Sequence, residues 1–406
     1  MNWGSPATAH ASRFLLMPDA MKERIISLIA IIMLSYTTSC DQGEQEISIV
    51  WKIAAALPAD SGKAEATGLA GPLAGIYNDH LVIGGGANFP FGLPWEGGKK
   101  EYHKSIYIYG RGQHGELILI HTDSLPYPVA YGANFASPGG IIYAGGETPD
   151  GLANLVWKVQ YIPDNKSIRI DQLPALPVPV ANATATSIGS YLYLAGGETI
   201  DSVSNKFLRL DLENLSKGWE QMPELPIRVS HAVLINHIEK DKTNIYLIGG
   251  RKRIVGGVSE IYSTMFAFDT EKNTWIKKAS MPYAMAAGTG LAIGSQDIFL
   301  FGGDTGDTFT KVEGLIAEIA KEENTVHKQE LIDKKNLLQA GHPGFSSEIL
   351  RYSTANNEWV RTDSIPFNTP VTTTALKWND EIIIPSGEIK AGIRSPNILS
   401  GKTFIK

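Results

Sequence analysis

The sequence predicts an all-β fold, a six-bladed β-propeller. Three observations support this prediction. A glycine pair or its equivalent ends six apolar strand patterns, tryptophan and Leu-Pro or Met-Pro markers follow most of them, and a strand pattern near the start of the chain supplies what the last repeat lacks. With 406 residues, 41 glycines and 22 prolines, the chain has the length and turn content of one such domain.

The glycine pairs define the repeat. They recur about every 50 to 60 residues, except that the last follows an insertion, and kelch repeats have a period of ~50 residues. Glycine is expected there because strands of all blades converge on the axis, where a Cβ atom has little room and positive φ is often required. The six positions are Gly85-Gly86, Gly145-Gly146, Gly196-Gly197, Gly249-Gly250, Gly302-Gly303 and Ser386-Gly387.

The strands beside the pairs fit this architecture. Those before the pairs are near-continuous runs of β-branched and aromatic residues, such as YLYLAGG and DIFLFGG, which is typical of strands buried on both faces. Trp219, Trp275 and Trp359 mark outer strands, and each is followed by a Met-Pro or Ile-Pro dipeptide. The sequence therefore predicts a kelch-type propeller.

The two ends of the chain predict how the ring closes. Residues 48–58 have the pattern of an outer strand, with Trp51 and a Leu-Pro dipeptide, but no inner strands precede them. The last repeat has inner strands and lacks an outer strand with tryptophan. We expect the N-terminal strand to complete the last blade, so that residues 48–406 form one closed propeller.

Two long loops predict the position of a pocket. Residues 87–104 and 304–346 follow the first and fifth glycine pairs, and the second loop has apolar residues at helical spacing among many charges, which predicts a helical insertion at about 311–340. In a closed ring of six, the first and fifth blades both adjoin the sixth. We expect the two loops to wall a pocket over the sixth blade.

The N-terminal residues predict export and a lipid anchor. Residues 25–34 are apolar except for Ser27; such a stretch suits a signal peptide and is too short for a bilayer-spanning helix of ~20 residues. The Thr-Thr-Ser sequence before Cys40 resembles the lipobox of bacterial lipoproteins, whose cysteine is acylated. We expect residues 1–39 to be upstream sequence followed by a signal peptide beginning at Met21, and residues 40–47 to be a lipidated tether. The protein would then be an exported bacterial lipoprotein of the periplasm or outer membrane.

Composition and charge narrow the class of ligand. A formal net charge of -6 argues against a nucleic-acid-binding surface. The single cysteine, Cys40, excludes an internal disulfide, and nine histidines without paired spacing give no zinc pattern. We expect no metal and no other cofactor, and the sequence predicts no particular oligomeric state.

One segment resembles that of a known family. Residues 386–394, Ser-Gly-Glu-Ile-Lys-Ala-Gly-Ile-Arg, resemble the hallmark Asn-Gly-Glu-x-Lys-x-Gly-x-Arg of the N-acetylneuraminate epimerase (sialic acid mutarotase) family of kelch propellers, with Ser386 in place of the asparagine. Residues 71–89, 129–132 and 281–288 are similar to further segments of that family. With the hallmark at the end of the chain, the sequence resembles a cyclically permuted branch of the family.

The resemblance implies a cofactor-free mutarotase that interconverts the α and β anomers of N-acetylneuraminate. Opening and reclosing the sugar ring needs a group that takes the proton of the anomeric hydroxyl while the ring oxygen is protonated. Glu388 is the expected acid/base, and Arg394 is expected to bind the substrate carboxylate in a planar, two-pronged manner. Without the resemblance, the two residues would be interpreted as a loop salt bridge.

Four other residues are candidate substrate contacts. Arg228 precedes a strand at a position from which kelch domains often direct arginine to the ligand face. Asn88 and Phe89 stand in a family-like loop and could instead form a turn, and Tyr131 could instead belong to the core. Three acidic residues that follow glycine pairs are expected to bond strand-end amides: Glu147, Glu198 and Asp304.

Two other functions stay open at this stage. A kelch propeller can bind a glycan or a protein partner through the same mouth without catalysis, and the fold alone does not choose between the two. Another sugar isomerase or lyase could use the same pair of residues on a different acid sugar. The expected partners are sialic acid and, through the lipid anchor, a membrane.

Overall fold

The computed structural model describes residues 47–59, 66–239 and 242–405. The predicted signal peptide, Cys40 and almost all of the predicted tether lie outside these residues. A compact unit spans Ser48–Phe404 and contains the propeller. In the described part of the chain, no helix is both long enough and apolar enough to span a membrane.

Six four-stranded antiparallel sheets form the blades, which we number in chain order from the first sheet that is continuous in sequence. In blades 1 to 5 the four strands lie side by side in the order of the chain. The strands of the first three blades are Leu73–Tyr77, His80–Gly84, Ser105–Arg111 and Leu117–Ser124 in blade 1, Ala133–Ser137, Gly140–Ala144, Val156–Ile162 and Ser167–Gln172 in blade 2, and Thr184–Ile188, Tyr191–Ala195, Phe207–Asp211 and Trp219–Gln221 in blade 3.

Blade 6 is built from both ends of the propeller. Its fourth strand is the N-terminal strand Ile47–Ala56, which pairs with the C-terminal strand Asn397–Ile405. This confirms the predicted six-bladed all-β fold and the closing strand. The remaining strands are Val233–Glu239, Lys242–Ile248, Met265–Asp269 and Thr274–Lys277 in blade 4, Thr289–Ile293, Asp297–Phe301, Glu348–Ser353 and Glu358–Ser364 in blade 5, and Leu376–Trp378 and Glu381–Pro385 in blade 6.

The hydrophobic core lies between neighbouring blades. At the closure of the ring, Leu81 and Ile83 of blade 1 belong to the same buried cluster as Trp378 and Ile383 of blade 6. Such burial stabilises a closed ring by ~25 cal/mol for each Å² of apolar surface removed from water. The packing of first blade against last therefore supports the closure that the strand pairing provides.

Three outer-strand tryptophans connect blades 3, 4 and 5 to the preceding blade. Each donates its indole N–H to a backbone carbonyl oxygen in the segment that ends the previous blade. The tryptophan of one repeat therefore contacts the proline-containing segment that ends the repeat before it. The pairs are Trp219 with Pro174 at 2.9 Å, Trp275 with Pro223 at 3.2 Å and Trp359 with Ala279 at 2.9 Å.

A closed ring of backbone hydrogen bonds surrounds the axis. One residue of each blade donates its N–H to the carbonyl oxygen of its counterpart in the previous blade, over 2.7–3.0 Å, and has a φ between 52° and 61°. The left-handed conformation costs a non-glycine residue roughly 1–2 kcal/mol, and the interblade hydrogen bonds offset that cost. We call these the ring residues: Gly71, Tyr131, Asn182, His231, Ala287 and Thr372.

The glycine pairs let neighbouring blades meet at the backbone. Gly196 has a φ of 64°, and a Cβ atom there would lie 2.1 Å from the carbonyl oxygen of Val229 in the next blade. Gly197 donates its N–H to that same oxygen over 2.8 Å. The predicted reason for glycine, crowding and positive φ near the axis, is confirmed at this pair.

The loops after the glycine pairs contain the helices and two-stranded ribbons described next, apart from two short 3-10 helices. In blade 5 this loop contains helix α1, Asp307–Lys321, and helix α2, Thr325–Ala340, which confirms the predicted helical insertion. Short 3-10 helices occur at Pro94–Glu96, Pro163–Asn165 and Leu215–Lys217. Two-stranded ribbons pair Ala87–Asn88 with Glu101–Tyr102, Glu147–Thr148 with Gly151–Leu152, Arg251–Lys252 with Glu260–Ile261, and Glu388–Lys390 with Ile393–Arg394.

Candidate active site at the mouth of the propeller

Equivalent side chains of the six blades meet at one end of the axis. The residue directly after each glycine pair forms a β-bridge with the residue that precedes the ring residue of the same blade. Because the bridges are equivalent, these residues occupy the same height on the propeller, which we call the mouth. The six mouth residues are Ala87, Glu147, Glu198, Arg251, Asp304 and Glu388.

A cavity of about 350 Å³ opens at the mouth. It falls in the range of ~300–1,000 Å³ that is usual for small-molecule sites. Lys100 of the 87–104 loop and Phe309, Gln339 and His342 of the 304–346 loop line it together with Glu388. The prediction that these two loops wall a pocket is confirmed, but the pocket is central rather than over the sixth blade, because residues of blades 2 to 6 line it.

The helical hairpin that covers one side of the cavity is fixed to blade 4. Glu313 of α1 accepts hydrogen bonds from the backbone N–H and the hydroxyl of Ser259, at 2.7 and 2.8 Å. Val312 and Leu315 of the same helix are buried, and Val312 faces the cavity. The insertion of blade 5 therefore forms a wall that is held in place rather than a free loop.

A second, smaller cavity of about 130 Å³ lies along the axis. Five of the six ring residues line both cavities, so the ring lies at the boundary between the two. No Asp, Glu, Lys or Arg lines the axial cavity, whereas six such side chains line the mouth cavity. Proton transfer and recognition of an anion are thus possible in the mouth cavity.

Glu388 stands at the start of a β-hairpin formed by the hallmark segment. Its strand pairs with Ile393–Arg394, and Glu388 and Arg394 are direct cross-strand partners. The Glu388 Oε1 atom accepts a hydrogen bond from the backbone N–H of Gly392 over 2.9 Å. Gly392, with a φ of 71°, packs against Leu93 and Pro94 of the blade 1 loop. The segment is therefore shaped to hold the carboxylate at the cavity wall.

Arg394 lies behind Glu388. Its Nη1 atom is 3.6 Å from Glu388 Oε1, its side chain is 4% exposed, and its guanidinium lies over the ring of Phe89 at 4.6 Å. Within the described residues, Nε and Nη1 have no hydrogen-bond partner. Arg394 is absent from the residues that line the mouth cavity. The structure thus brings Glu388, Arg394 and Phe89 together, with Glu388 nearest the cavity.

Ser386, which replaces the family's asparagine, is fully buried. Its hydroxyl accepts a hydrogen bond from the N–H of Leu69 over 2.8 Å and lies 2.7 Å from the carbonyl oxygen of Ser395. The shorter side chain therefore still connects the hallmark hairpin to the segment entering blade 1.

Tyr131 is a ring residue that lines the cavity. Burial raises the pKa of its phenol, although the nearby Arg394 cation acts in the opposite direction and Glu388 adds to the rise. The ammonium of Lys100 lies 5.0 Å from the centre of its ring. The phenol is therefore protonated at neutral pH and can donate a hydrogen bond into the cavity.

Lys100 is held by Glu147 and its neighbours. Its Nζ lies 2.6 Å from Glu147 Oε2, and the hydroxyl of Tyr102 donates to that same oxygen over 2.7 Å. Burial and the Glu147 carboxylate raise the pKa of Tyr102. This arrangement places a neutral, hydrogen-bonded ion pair on the wall of blades 1 and 2.

A second charged group surrounds Arg251 on the wall of blade 4. The guanidinium lies over the ring of Phe309 at 4.5 Å, and its Nη2 is 3.5 Å from both Glu198 Oε1 and His231 Nε2. Glu198 Oε1 also accepts a hydrogen bond from the Ser230 hydroxyl over 2.9 Å. Burial, and secondly the Arg251 cation, hold the pKa of His231 well below its ordinary value, so its imidazole is neutral.

His342 and Asp304 complete the wall of blade 5. The His342 Nδ1 atom accepts a hydrogen bond from the N–H of Gly344 over 3.0 Å, which places the proton of the neutral ring on Nε2. Burial lowers the pKa of His342. Asp304 accepts a hydrogen bond from the N–H of Gly306, just before α1, over 2.8 Å. The prediction that the acidic residues after the glycine pairs bond strand-end amides is wrong for Glu147 and Glu198, whose carboxylates bind side chains.

Three of the four predicted substrate contacts do not line the cavity, and the first of these, Phe89, lies against the guanidinium of Arg394 instead. Arg228 donates from Nη1 to the carbonyl oxygen of Val203 over 3.0 Å, so its guanidinium serves a backbone contact within blade 3. Asn88 is 2% exposed, and its amide contacts Gly68 at 2.9 Å and His103 at 2.8 Å. Its buried amide is saturated by local partners. Asn88 therefore stabilises the loop in which it stands.

Sequence reasoning did not identify as site residues the four Lys, Arg and His side chains that line the cavity. Arg251 could have been found, because it directly follows its glycine pair as Glu147 and Glu198 do. The other three carry no comparable signal: Lys100, His231 and His342.

Comparisons with known proteins identify the family of the chain. A sequence profile of the N-acetylneuraminate epimerase family matches residues 173–404. The N-acetylneuraminate epimerase of Haemophilus influenzae (strain 86-028NP) is 23% identical over 235 residues, which cover 57% of this chain and 60% of the relative. The N-acetylneuraminate epimerase of Brucella melitensis biotype 1 is 24% identical over 251 residues, 61% of each protein.

Two further matches concern the fold. A kelch domain-containing protein of Vibrio cholerae is 23% identical over 246 residues, covering 56% of this chain and 63% of the relative. A solved structure described as the structure of YjhT aligns with a TM-score of 0.58 and 16% identity, over 87% of this chain and all of that chain. The chain spans about three fifths of the length of the curated relatives it matches.

The family profile covers more than half of the chain, and the match includes the hallmark hairpin with Glu388 and Arg394. This chain therefore belongs to the N-acetylneuraminate epimerase family.

Proposed function

We propose that the chain is a cofactor-free mutarotase that interconverts the α and β anomers of N-acetylneuraminate in the mouth cavity. The observation that carries the proposal is the position of Glu388, whose carboxylate is held by the hallmark hairpin at the wall of a cavity large enough for a sugar acid. The family names of the relatives support the substrate.

Glu388 acts as the acid/base in this proposal. It takes the proton of the anomeric hydroxyl as the bond between the anomeric carbon and the ring oxygen breaks, and the protonated carboxyl then gives that proton to the former ring oxygen, which becomes a hydroxyl. The product is an open-chain keto acid. Rotation about the bond next to the ketone exposes its other face, and the reverse proton transfers close the ring as the opposite anomer. Each proton removed is returned, so no cofactor or co-reactant is consumed.

Tyr131 assists at the ring oxygen. Its phenol is protonated because its pKa is raised, it lines the cavity, and it lies near both Glu388 and Arg394. A phenol in that position can donate a hydrogen bond to the ring oxygen as negative charge develops there. Arg394, buried behind Glu388, orients the carboxylate of Glu388.

The surrounding loops shelter the reaction. The blade 1 loop packs against the hallmark hairpin at Gly392, and Phe309 and Phe345 of the blade 5 insertion face the same space. Removing bulk water strengthens electrostatic interactions between the enzyme and a polar substrate. The shelter is therefore consistent with a catalytic role rather than with a shallow docking surface.

Export is also part of the proposal. The lipobox-like sequence before Cys40 supports an acylated, membrane-anchored protein of the periplasm or outer membrane. A mutarotase at that place would act on sialic acid outside the cytoplasm.

Proton NMR of freshly dissolved N-acetylneuraminate tests the function, because the two anomers give separate signals and their spontaneous exchange is slow at mildly acidic pH. Wild-type protein is expected to accelerate the approach to equilibrium, Glu388→Gln to lose the acceleration by about 100-fold or more, and the exposed control Glu358→Gln to retain it. Wild-type protein that binds the sugar without accelerating exchange would instead identify a non-catalytic sialic acid-binding module.

A further inference from the structure

We propose that Arg251, rather than Arg394, binds the carboxylate of the substrate; this inference rests on the proposed function and names the recognition group of the same site. Arg251 is the one mouth residue with a positive charge, at the position where the other blades carry alanine or an acid. A carboxylate group on the ligand requires such a cation.

The cavity carries more negative than positive charge, so an anionic ligand needs a cation there. Two cations, Lys100 and Arg251, line the cavity together with four carboxylates, Glu147, Glu198, Asp304 and Glu388. An anionic ligand entering such a site meets repulsion unless a cation pairs with it. The charge of Lys100 is already paired closely with Glu147 at 2.6 Å, whereas Arg251 comes only within 3.5 Å of its nearest carboxylate, Glu198.

Arg251 has donors to spare. Its contact with Glu198 is 3.5 Å, at the outer limit of a hydrogen bond, and its buried Nε has no hydrogen-bond partner among the described residues. Phe309 covers one face of the guanidinium at 4.5 Å. A stacked guanidinium keeps its in-plane N–H groups available, and these match the two oxygens of a carboxylate.

Arg394 is less suited to this task. Its side chain is 4% exposed and does not line the cavity, whereas that of Arg251 is 20% exposed and does. Arg394 also lies behind Glu388, so a substrate carboxylate in the cavity would reach its guanidinium only past the acid/base. Binding to Arg251 avoids this obstruction.

The position of Arg251 fits a ligand that reaches Glu388. The two residues are equivalent mouth residues of blades 4 and 6, and Phe309, from the blade 5 insertion between them, also faces the cavity. The carboxylate and the anomeric hydroxyl of the substrate share one carbon, so the proposal places that carbon between Arg251 and Glu388, with the rest of the sugar in the same cavity.

The test compares two compounds that cannot mutarotate, the methyl α-glycoside of N-acetylneuraminate and the methyl ester of that glycoside. Calorimetry of wild-type protein is expected to show tighter binding of the free acid than of its ester by about tenfold or more. In Arg251→Gln this preference should disappear, in Arg251→Lys it should be only partly retained, and in Arg394→Gln and the exposed control Arg253→Gln it should persist.

Separate outcomes would overturn the inference and the function. If wild-type protein accelerates anomer exchange and Arg251→Gln keeps the full preference for the free acid, the inference is wrong and the mutarotase function stands. If wild-type protein neither binds the glycoside nor accelerates exchange, both are wrong. Should Arg251→Gln fail to fold, as judged by circular dichroism, full retention of the preference by Arg251→Lys together with its loss in Arg394→Gln would overturn the inference.

Discussion

Glu388 and Arg394 face each other across the two strands of one hairpin, with 3.6 Å between Oε1 and Nη1, yet only Glu388 lines the mouth cavity. Glu388 is thus the inner member of the pair, on the cavity side, and Arg394 is the outer member. The outer member, Arg394, stands between Glu388 and the ring of Phe89. This arrangement fits a positioning role for the arginine and direct chemistry for the glutamate.

Arg394→Gln is expected to lower kcat for anomer exchange by about 10–100-fold, because a misplaced acid/base loses catalysis steeply with small displacements. KM should change little, since Arg394 does not line the cavity. The measurement is the NMR exchange assay at several substrate concentrations. Arg394→Lys should recover part of kcat.

The control for this prediction is Arg169→Gln, which changes an arginine that is 65% exposed on an outer strand and should leave both constants unchanged. A large rise in KM with an unchanged kcat in Arg394→Gln would show that the arginine binds substrate instead.

The fold could be predicted from sequence because its constraints are local and repeated. A pair such as Gly196-Gly197 is needed wherever a strand ends against the next blade, and a tryptophan such as Trp359 ties one blade to the one before it. The glycine pair recurs in five repeats, with Ser386-Gly387 in the sixth, and the tryptophan contact recurs in three. The closing strand was predictable for the same reason, since Trp51 marks an outer strand without inner partners.

The site was predictable only in part. The hallmark segment identified Glu388, but which member of a charged pair faces a cavity depends on side-chain direction, which spacing in sequence does not encode. Arg228 and Asn88 are polar residues near the mouth loops whose hydrogen bonds are satisfied by local backbone and side chains. Lys100 reaches the cavity from a long loop, whose path is set by tertiary contacts.

The glycine pairs make a clear stability prediction. Gly196→Ala is expected to lower the free energy of unfolding by about 2–4 kcal/mol, because the new Cβ would meet the Val229 carbonyl oxygen in addition to adopting a left-handed conformation. Gly189 has a φ of 57° with no atom within 4 Å of a Cβ, so Gly189→Ala should cost only about 1–2 kcal/mol. Urea unfolding of both variants measures the difference. Equal destabilisation would show that crowding at the axis contributes nothing.

The lipid anchor is tested by Cys40→Ser. In a bacterial host fed radiolabelled palmitate, the protein with Cys40 is expected to incorporate label and to sediment with membranes. The serine variant should do neither, because acylation requires the thiol. Equal label in the two proteins would contradict the assignment of Cys40. Exchange activity should be the same in both, since the propeller begins after the tether.

The last prediction concerns pH. Burial, and secondly the Arg251 cation, lower the pKa of His231, so the folded protein keeps this imidazole neutral where the unfolded chain, with a pKa of ~6.5, binds a proton. Between these two values the unfolded state carries more protons, and stability therefore falls as the pH decreases below ~6.5, by up to about 1.4 kcal/mol per pH unit. His342, whose pKa is also lowered, adds to this dependence.

His231→Asn should make that dependence shallower, and blade 3 shows that the substitution fits, because its ring residue Asn182 has the same φ of 54°. The free energy of unfolding is measured by urea denaturation between about pH 5 and 7, with the exposed His114→Asn as control. The control is expected to follow wild type. If His231→Asn does so too, the imidazole of His231 is not kept neutral by the fold, and the arrangement around Arg251 carries a second positive charge at mildly acidic pH.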